Sequence, residues 1–337
     1  MDADETTFSA LFARHRRELQ THCYRMAGSF EDAEDLVQET FERAWRARAR
    51  FRREGRWSFR AWLYRIATNA CLDHLARHAP RLLPADVAPA ADPEADLPPV
   101  ASDVPWLDPY PDRLADPHEA AVARETLQIA FVAAIQHLPA RQRAALILRD
   151  AAGFSARETA AVLGTSVPAA NSALQRARER MRDRLPSRRA EWTLPADPTA
   201  EEREVARRYL EAIERRDFGA LAALVREDAR FSFPPRAVWY DGLDAFRRAS
   251  DKHAAPGEHL FLPAAANLQP AVAVYLRAPG ARSARPLALA VLRVQDGRVA
   301  EVIHWDRPEL FEVFGLPMSF PLSRRSNEDE VTAKEVR

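Results

Sequence analysis

The stretch that decides the fold is residues 138–184, which read LPARQRAALILRDAAGFSARETAAVLGTSVPAANSALQRARERMRDR. Apolar residues recur at helical spacing in three segments of this stretch, and Gly153 and Gly164 separate the segments. Ser155 and Glu158 have the spacing of a capping box, which satisfies free amides at a helix start. The pattern predicts three short helices, of which the last two form a helix-turn-helix.

The third segment divides into an apolar stripe and a polar face. The stripe repeats at spacings of three and four residues and consists of Val167, Ala170, Leu174, Ala177 and Met181. The polar face and its flank hold the candidate DNA contacts Pro168, Asn171, Ser172, Gln175, Arg176 and Arg178. Residues 138–190 carry eleven arginines against four acidic residues, a net +7 that suits a surface facing phosphates. From pattern alone a plain helical bundle stays an alternative, but DNA binding is favoured.

The bulk composition limits the class of protein. A chain of 337 residues with zero net charge is expected to form two or three domains. Its start lacks a basic and apolar leader, and no apolar run approaches 18 residues. Cys23 and Cys71 stand alone, which predicts buried free thiols in a reducing compartment and no metal site. We therefore expect a soluble, cytoplasmic protein that uses no cofactor.

Residues 5–81 form a first helical block with two informative surfaces. Asp35, Gln38 and Glu39 share the polar face of an amphipathic helix, and a solvated face is the default interpretation. Residues 43–81 carry a net charge of +9, interleaved with aromatic rings such as that of Trp62. Such a segment can be ordinary core with snorkelling arginines. It also has what a reader of single-stranded DNA needs, because rings hold unstacked bases and cations hold phosphates.

Two runs of sequence make a family resemblance specific. DLVQETF at residues 35–41 and FRAWLYRIATN at residues 59–69 resemble region 2 of bacterial extracytoplasmic-function sigma factors of the sigma-70 superfamily. The stretch from residue 138 to residue 181 resembles region 4 of the same family. The resemblance implies an all-α region 2 over residues 5–81 and an all-α region 4 helix-turn-helix over residues 116–186. It also implies a non-enzymatic factor that directs promoter-specific transcription initiation.

The resemblance assigns roles to particular residues. It implies that Asp35, Gln38 and Glu39 dock on the β′ clamp helices of core RNA polymerase, a role that replaces the solvated-face interpretation. The implied partners are core polymerase, through those helices and the β flap, and promoter DNA, with no membrane. The −10 element would be melted and read by Arg56, Trp57, Arg60, Arg65 and Asn69. Region 4 would read the −35 duplex, with Ser172, Gln175 and Arg176 nearest the bases.

Residues 82–115 have the composition of a linker. They contain eight prolines and seven acidic residues against a single arginine, Arg113. Such a composition predicts an extended chain without a core, and a passive tether is one interpretation. The family resemblance offers another, in which the linker threads polymerase channels that RNA otherwise uses. Trp106 and Tyr110 are unusual for a pure tether.

Residues 199–316 predict an α+β cone, in which helices precede a curved antiparallel sheet. Asp296-Gly297 supplies a two-residue hairpin turn between the last two strands. Together with WYDGLDAF at residues 239–246, this order resembles the SnoaL-like superfamily. Enzymes of that superfamily use an Asp or His base in the cone, for which the candidates here are Asp241, Tyr275, His304 and Asp306. The sequence does not bring the four into one pocket, and residues 318–337 are predicted to be disordered.

The leading hypothesis is therefore a sigma factor with a fused C-terminal regulatory domain and no catalytic residues. Asp241 and Gly242 are its predicted regulatory contact, and a small ligand is a candidate partner of the C-terminal domain. One alternative is a helix-turn-helix DNA-binding regulator that does not dock on polymerase. Another is an enzyme domain fused to DNA-binding domains. Only a sigma factor needs the acidic face around Asp35, which favours the first hypothesis.

Overall fold

The computed structural model describes residues 3–54, 58–115, 126–184 and 199–321. The chain divides into two compact units, and each unit is discontinuous in sequence. Unit 1 comprises Met1–Leu83, Ser102–Thr199 and Ala266–Leu268. Unit 2 comprises Pro84–Ala101, Ala200–Ala265 and Gln269–Arg337.

Unit 1 is helical. The first part of the chain forms α1 (Ala3–Ala27), α2 (Phe30–Glu54), α3 (Phe59–Leu75), α4 (Pro84–Val87), α5 (Ile129–Gln136), α6 (Ala140–Leu146), α7 (Ala156–Val162) and α8 (Val167–Arg184). Of these, α4 belongs to unit 2 and the others to unit 1. A π-type turn, Ile147–Ala151, extends α6. A single helix leading from residue 116 through Leu127 is a further prediction; residues 116–125 lie outside the described residues, Thr126–Gln128 are not helical, and the helix α5 begins at Ile129.

Serine side chains cap the starts of two helices in unit 1. The Ser58 hydroxyl accepts a hydrogen bond from the backbone N–H of Ala61 at 3.1 Å. Ser155 and Glu158 form the predicted capping box, with N···O distances of 3.2 and 2.9 Å. These bonds satisfy backbone donors that have no partner within the helix, and they fix where α3 and α7 begin.

The apolar stripe of α8 faces the core of unit 1. Ala170, Leu174, Ala177 and Met181 are buried, as the spacing predicts. Cys23 and Cys71 are also buried, and both are free thiols. Burial of such stripes supplies most of the stability of short amphipathic helices, because isolated helices of this length are marginal in water.

The guanidinium of Arg143 joins the ends of two helices in unit 1. Its Nη1 donates to the Met26 carbonyl near the end of α1 and to Gln136 Oε1 at 2.7 Å. Its Nη2 donates to the carbonyls of Gln136 and Leu138 at the end of α5, at 2.6 and 3.3 Å. The side chain is only 3% exposed, and burial lowers the pKa of Arg143 to about 10. Arg143 therefore stays a cation at neutral pH and caps two helix C-termini.

The linker differs from the extended chain that its composition predicts. Trp106, Leu107 and Tyr110 are buried, and the Tyr24 hydroxyl donates to the Asp108 carbonyl at 2.7 Å. Residues 102–115 belong to unit 1 and residues 84–101 to unit 2. The prediction rested on the proline and charge content of the segment. The large rings of Trp106 and Tyr110 bury enough apolar surface to order the chain around these two residues.

Unit 2 combines helices with a curved sheet. Its later helices are α9 (Ala200–Glu214), α10 (Phe218–Leu224), α11 (Leu243–His253) and α12 (Leu310–Phe314). Its strands are β1 (Val225–Ser232), β2 (Trp239–Asp241), β3 (Glu258–Ala266), β4 (Gln269–Arg277), β5 (Ser283–Gln295), β6 (Arg298–Trp305) and β7 (Phe320–Pro321). The main sheet has the order β2-β1-β6-β5-β4-β3, and β7 pairs with β5.

The sheet differs from the sequence prediction in three places. The pair β1–β6 is parallel, because the intervening chain supplies the long crossover that parallel neighbours need. Trp239–Asp241 forms strand β2 where a loop was expected. Phe320–Pro321 pairs with Ser283 and Ala284, although residues 318–337 were predicted to be disordered. Residues 322–337 lie outside the described residues. The hairpin turn at Asp296-Gly297 is confirmed, with φ of +52° and +70°.

Replacing Arg143 with Met should destabilise unit 1. The change leaves four buried oxygen acceptors without this donor, so we expect a loss of about 3 kcal/mol in the free energy of unfolding. Urea unfolding followed by circular dichroism measures the loss. The matched control is Arg141→Met on the same helix, where the exposed arginine makes one long bond of 3.3 Å to the Leu163 carbonyl. Equal losses in the two variants would contradict the capping role.

Candidate functional site

The polar face of α2 is accessible to solvent at the three residues predicted to bind polymerase. Asp35 and Gln38 are exposed, and the Glu39 side chain is 40% exposed. Glu39 forms an ion pair with Arg43, which also donates to Asp73 at 3.0 Å. The opposite side of α2 is buried in unit 1. The three predicted residues therefore form one surface, which we call the α2 acidic face.

The predicted strand-reading residues on α3 divide into two environments. Asn69 is exposed and Arg65 is half-buried, whereas Arg56 and Trp57 lie outside the described residues. Arg60 makes internal contacts: its Nε donates to Glu18 at 2.7 Å and its Nη2 donates to the Ala152 carbonyl at 3.1 Å. In this conformation its guanidinium is occupied within unit 1.

Aromatic rings and a carboxylate hold Arg60 in place. The guanidinium lies 4.8 Å from the ring centroid of Tyr64 and 4.7 Å from that of Phe154. Burial alone would raise the pKa of Glu18, but the His15 hydrogen bond and the Arg60 charge outweigh it, so that the pKa lies below its ordinary value. Sequence reasoning missed this pair, because Glu18 and Arg60 are 42 residues apart.

The outer face of α8 presents the predicted duplex-reading residues. All of them are exposed: Pro168, Asn171, Ser172, Gln175, Arg176 and Arg178. Arg178 forms a two-pronged ion pair with Asp150, with N···O distances of 3.2 and 2.6 Å. Gln175 donates to Glu179 at 3.0 Å. The two arginines therefore differ, since Asp150 partly neutralises Arg178 while Arg176 lies on the outer face.

In unit 2 the candidate base residues do not share one pocket. His304 and Asp306 line a cavity of about 690 Å³, whereas Asp241 and Tyr275 are not among its lining residues. Asp241 is exposed at the end of β2, and the ring of Tyr275 packs edge-on against Phe311 at 5.1 Å. The structure thus joins two of the four candidates.

Gly242 has a structural reason to be glycine. Its φ is +82°, and a Cβ at this position would lie 3.1 Å from the Glu227 carbonyl oxygen. Its N–H donates to the Ala229 carbonyl at 2.8 Å, which fixes the entry into α11. The backbone conformation at this position therefore accounts for the glycine, and no contact to a partner is needed to explain it.

Asn267 is a buried residue of unit 1 that sequence reasoning missed. Its Nδ2 donates to the Tyr24 hydroxyl at 2.9 Å and to the Leu127 carbonyl at 2.7 Å. Its Oδ1 accepts from the Tyr110 N–H at 2.8 Å. Asn267 is fully buried, and its φ of +56° is one that asparagine tolerates. Its partner Tyr24 is 243 residues away, so no local pattern points to it.

The described residues hold no cluster of three or more His, Cys, Asp or Glu side chains suited to a metal ion. Within the same part of the chain, no helix has both the length and the apolar character that crossing a membrane requires.

Three protein families match successive parts of the chain. Sigma-70 region 2 matches residues 11–81, Sigma-70 region 4 matches residues 128–181, and the SnoaL-like domain matches residues 206–302. Their order along the chain agrees with the order of the helical and α+β parts.

Whole proteins similar to the chain are sigma factors. The chain is 41% identical over 319 residues to the ECF RNA polymerase sigma factor SigG of Mycobacterium tuberculosis, covering 93% of this chain and 84% of that protein. It is 35% identical over 178 residues to the ECF sigma factor SigM of the same species, covering 53% of this chain and 76% of that protein. The crystal structure of M. tuberculosis SigJ, an extracytoplasmic-function sigma factor, shares the fold with a TM-score of 0.58 at 22% identity. That match covers 92% of this chain and 99% of SigJ.

Proposed function

Because the chain belongs to the ECF RNA polymerase sigma factors, we propose that its exposed faces divide polymerase docking and promoter reading between them. A sigma factor binds core RNA polymerase and promoter DNA and directs transcription initiation, and this one carries a fused SnoaL-like domain. The observation that carries the division is the exposure of two distinct polar faces on helices whose other sides are buried, the α2 acidic face and the outer face of α8.

The α2 acidic face is the proposed contact with the β′ clamp helices. Asp35 and Gln38 point away from the buried side of α2, and the Glu39 carboxylate already pairs with a cation, Arg43. An exposed acidic surface on a rigid helix suits a charge-complementary interface that steers association with its partner. The β flap is the proposed partner of region 4.

The outer face of α8 is the proposed reader of the −35 duplex. A helix in the major groove places a short run of side chains against base edges, and arginine pairs with guanine there. Arg176 lies on the exposed face and fits that role, with Ser172 and Gln175 beside it. Arg178 lies on the flank and is the proposed contact to phosphate, with part of its charge already offset by its ion pair with Asp150.

The exposed side of α3 is the proposed reader of the melted −10 strand. Asn69 and Arg65 carry this proposal within the described residues, and Arg56 and Trp57 extend it by family resemblance alone. Arg60 joins them only if its bonds to Glu18 and the Ala152 carbonyl open. Strand reading by Arg60 therefore requires a rearrangement inside unit 1.

We assign the fused SnoaL-like domain a regulatory role, with Asp241 as the proposed contact and a small ligand as the proposed input. Asp241 is exposed and ends a strand, so its side chain is accessible without any rearrangement. Gly242 serves this contact through its backbone, because its positive φ shapes the turn that presents Asp241.

Reversing the charge of the α2 acidic face should abolish polymerase binding. The double variant Asp35→Arg with Glu39→Arg is expected to lose co-purification with core polymerase while its circular dichroism is unchanged. The control is Asp73→Arg, which also deprives Arg43 of an ion-pair partner but lies on α3. Retention of the double variant on core polymerase would refute the assignment.

Arginine substitutions on α8 should separate base reading from phosphate binding. In the reconstituted holoenzyme, Arg176→Ala should weaken binding to the −35 duplex by about 1–3 kcal/mol and change preference at one base pair. Arg178→Ala should weaken all duplexes alike and reduce the salt slope by less than about one unit, because Asp150 already neutralises part of its charge. Fluorescence anisotropy over a salt series distinguishes the two effects. Arg46→Ala on α2 is the control, since it removes an arginine outside α8. Identical profiles for the two α8 variants would exclude this division.

Removing the Asp241 carboxylate should change transcription from a cognate promoter. With reconstituted holoenzyme we expect Asp241→Ala to alter the initiation rate about fivefold or more, the scale of an ordinary coupling between sites. The control Asp251→Ala removes an exposed carboxylate from α11, where it pairs only locally with Arg247. If both variants match the unaltered protein at every promoter, Asp241 is not the regulatory contact.

A further inference from the structure

The cavity of unit 2 is large enough for a small molecule. Its volume of about 690 Å³ falls within the range of sites that enclose drug-sized ligands, about 300–1,000 Å³. The lining comes from several elements at once, including Ile213 of α9, Leu221 of α10, Ala249 of α11, Val274 of β4 and Ala288 of β5. Helices and sheet together therefore form a mostly apolar chamber in unit 2, whose lining also includes the charged residues Arg216, Arg236 and Glu258.

Flat rings form one wall of this chamber. Phe233 and His304 stack with their planes 6° apart and their centroids 4.8 Å apart. Phe246 is inclined by 17° to Phe233 and by 20° to His304, in each case with centroids 6.1 Å apart. Phe246 stacks in turn on Phe231 at 4.3 Å. Such near-parallel rings favour a planar aromatic guest, because stacked arrangements add to the gain from burial.

Two polar groups of the cavity lining, His304 and Asp306, can fix the orientation of a guest. Burial lowers the pKa of His304 to about 4, so its imidazole is neutral at neutral pH, and its buried Nε2 has no hydrogen-bond partner among the described residues. Asp306 is exposed to solvent as a residue, but desolvation of its carboxyl group raises its pKa to about 6, and the charge of Arg236 opposes the rise. At neutral pH Asp306 is therefore mainly a carboxylate, which accepts hydrogen bonds and donates none.

A segment of the linker lies beside the chamber within unit 2. We call residues 88–101 the strap. Its carbonyls accept from side chains of the rest of the unit: Trp239 donates to Ala88 at 2.8 Å, His253 bonds to Ala95 at 3.0 Å, and Lys252 and Arg236 donate to Glu94 and Pro98. Backbone bonds of 2.8 and 3.0 Å join Ala91 to Trp239 and Ala101 to Pro235.

Charge complementarity adds to these bonds. Lys252 pairs with Asp96 at 3.1 Å, and Arg248 pairs with Glu94 at 3.6 Å. Leu97, Arg236 and His253 all line the cavity, and the last two also bond to the strap. Filling the chamber and holding the strap therefore depend on the same side chains.

We propose that this cavity binds an uncharged, planar aromatic molecule with one hydrogen-bond donor, and that the strap is the lid of the site. The donor would face Asp306, the rings would stack on the Phe233–His304 wall, and Leu97 would close over the guest. The consequence for transcription rests on the proposed regulatory role of the domain, because ligand binding would hold part of the linker that joins region 2 to region 4. The binding itself does not depend on that role.

The binding test uses N-phenyl-1-naphthylamine, an uncharged aromatic fluorophore with a single N–H. Titration of the full-length protein should give saturable binding of one probe per chain, with a Kd on the order of 1–10 μM. Asp306→Asn should weaken binding about tenfold, because the charged acceptor is lost. The control Asp228→Asn, an exposed carboxylate on β1 that pairs with Arg226, should bind as the unaltered protein does. The same fluorophore carrying a sulfonate should bind more weakly, because the anion would meet the Asp306 carboxylate and mostly apolar walls, while Arg236 already bonds to the Pro98 carbonyl.

The lid test uses two apolar residues of nearly equal exposure, Leu97 at 40% and Val87 at 42%. Leu97→Asp should speed probe dissociation about tenfold in stopped-flow measurements, whereas Val87→Asp, outside the cavity lining, should not. Saturating probe should also slow hydrogen exchange at the amides of Ala91 and Ala101, which bond to Trp239 and Pro235.

Each result decides the proposal. Absence of saturable binding, or equal affinity in the Asp306→Asn and unaltered proteins, would overturn the ligand site. Tighter binding of the sulfonated fluorophore would overturn the uncharged class. Equal dissociation rates for Leu97→Asp and Val87→Asp, with unchanged exchange at Ala91 and Ala101, would overturn the lid. None of these outcomes bears on polymerase docking, which co-purification measures separately.

Discussion

The carbonyls at two helix ends in unit 1 need hydrogen-bond donors, and Arg143 supplies them. The chain brings the C-termini of α1 and α5 together in a place that excludes water, and each end carries carbonyls with no partner inside its own helix. A buried cation meets both the hydrogen-bonding need and the negative end of each helix dipole. Arg60 makes a second bridge of this kind, from α3 to the Glu18 carboxylate and the Ala152 carbonyl. Two arginines thus join region 2 and region 4 within unit 1. They differ in the free energy that burying the cation costs. Arg143 is buried and bonds to no carboxylate among the described residues, whereas Arg60 is half-buried and paired with Glu18.

This difference suggests how a sigma factor can be stable alone and still rearrange on polymerase. Opening the Arg60 contacts exposes an ion pair to water, and water then replaces much of the lost hydrogen bonding and charge stabilisation. Opening the Arg143 contacts leaves several carbonyls of two helices without donors, which is more costly. We therefore expect the Arg60 side of unit 1 to open first.

Local patterns predicted the parts of the structure that neighbours in sequence determine. The capping box at Ser155, the stripe of α8 and the turn at Asp296-Gly297 all depend on residues within a few positions of one another. Apolar periodicity also identified the exposed polar faces of α2 and α8, and the family resemblance assigned roles to them that stay predictions. What the sequence could not provide are contacts between distant positions, such as Glu18 with Arg60 and Asn267 with Tyr24. The linker shows another limit of prediction from sequence. Its proline and charge content predicted an extended chain, although the rings of Trp106 and Tyr110 order part of it.

The position of Asn267 has a consequence for how this protein is encoded. A buried residue of the helical unit is written in the gene more than eighty codons after α8 ends, inside the hairpin between β3 and β4. A gene fragment that stops between the two folds would encode a helical unit in which Tyr24, Tyr110 and Leu127 have lost their shared hydrogen-bonding partner. Recombination that exchanged the SnoaL-like part for an unrelated domain would leave the same gap. The two parts of this gene are therefore expected to be inherited together.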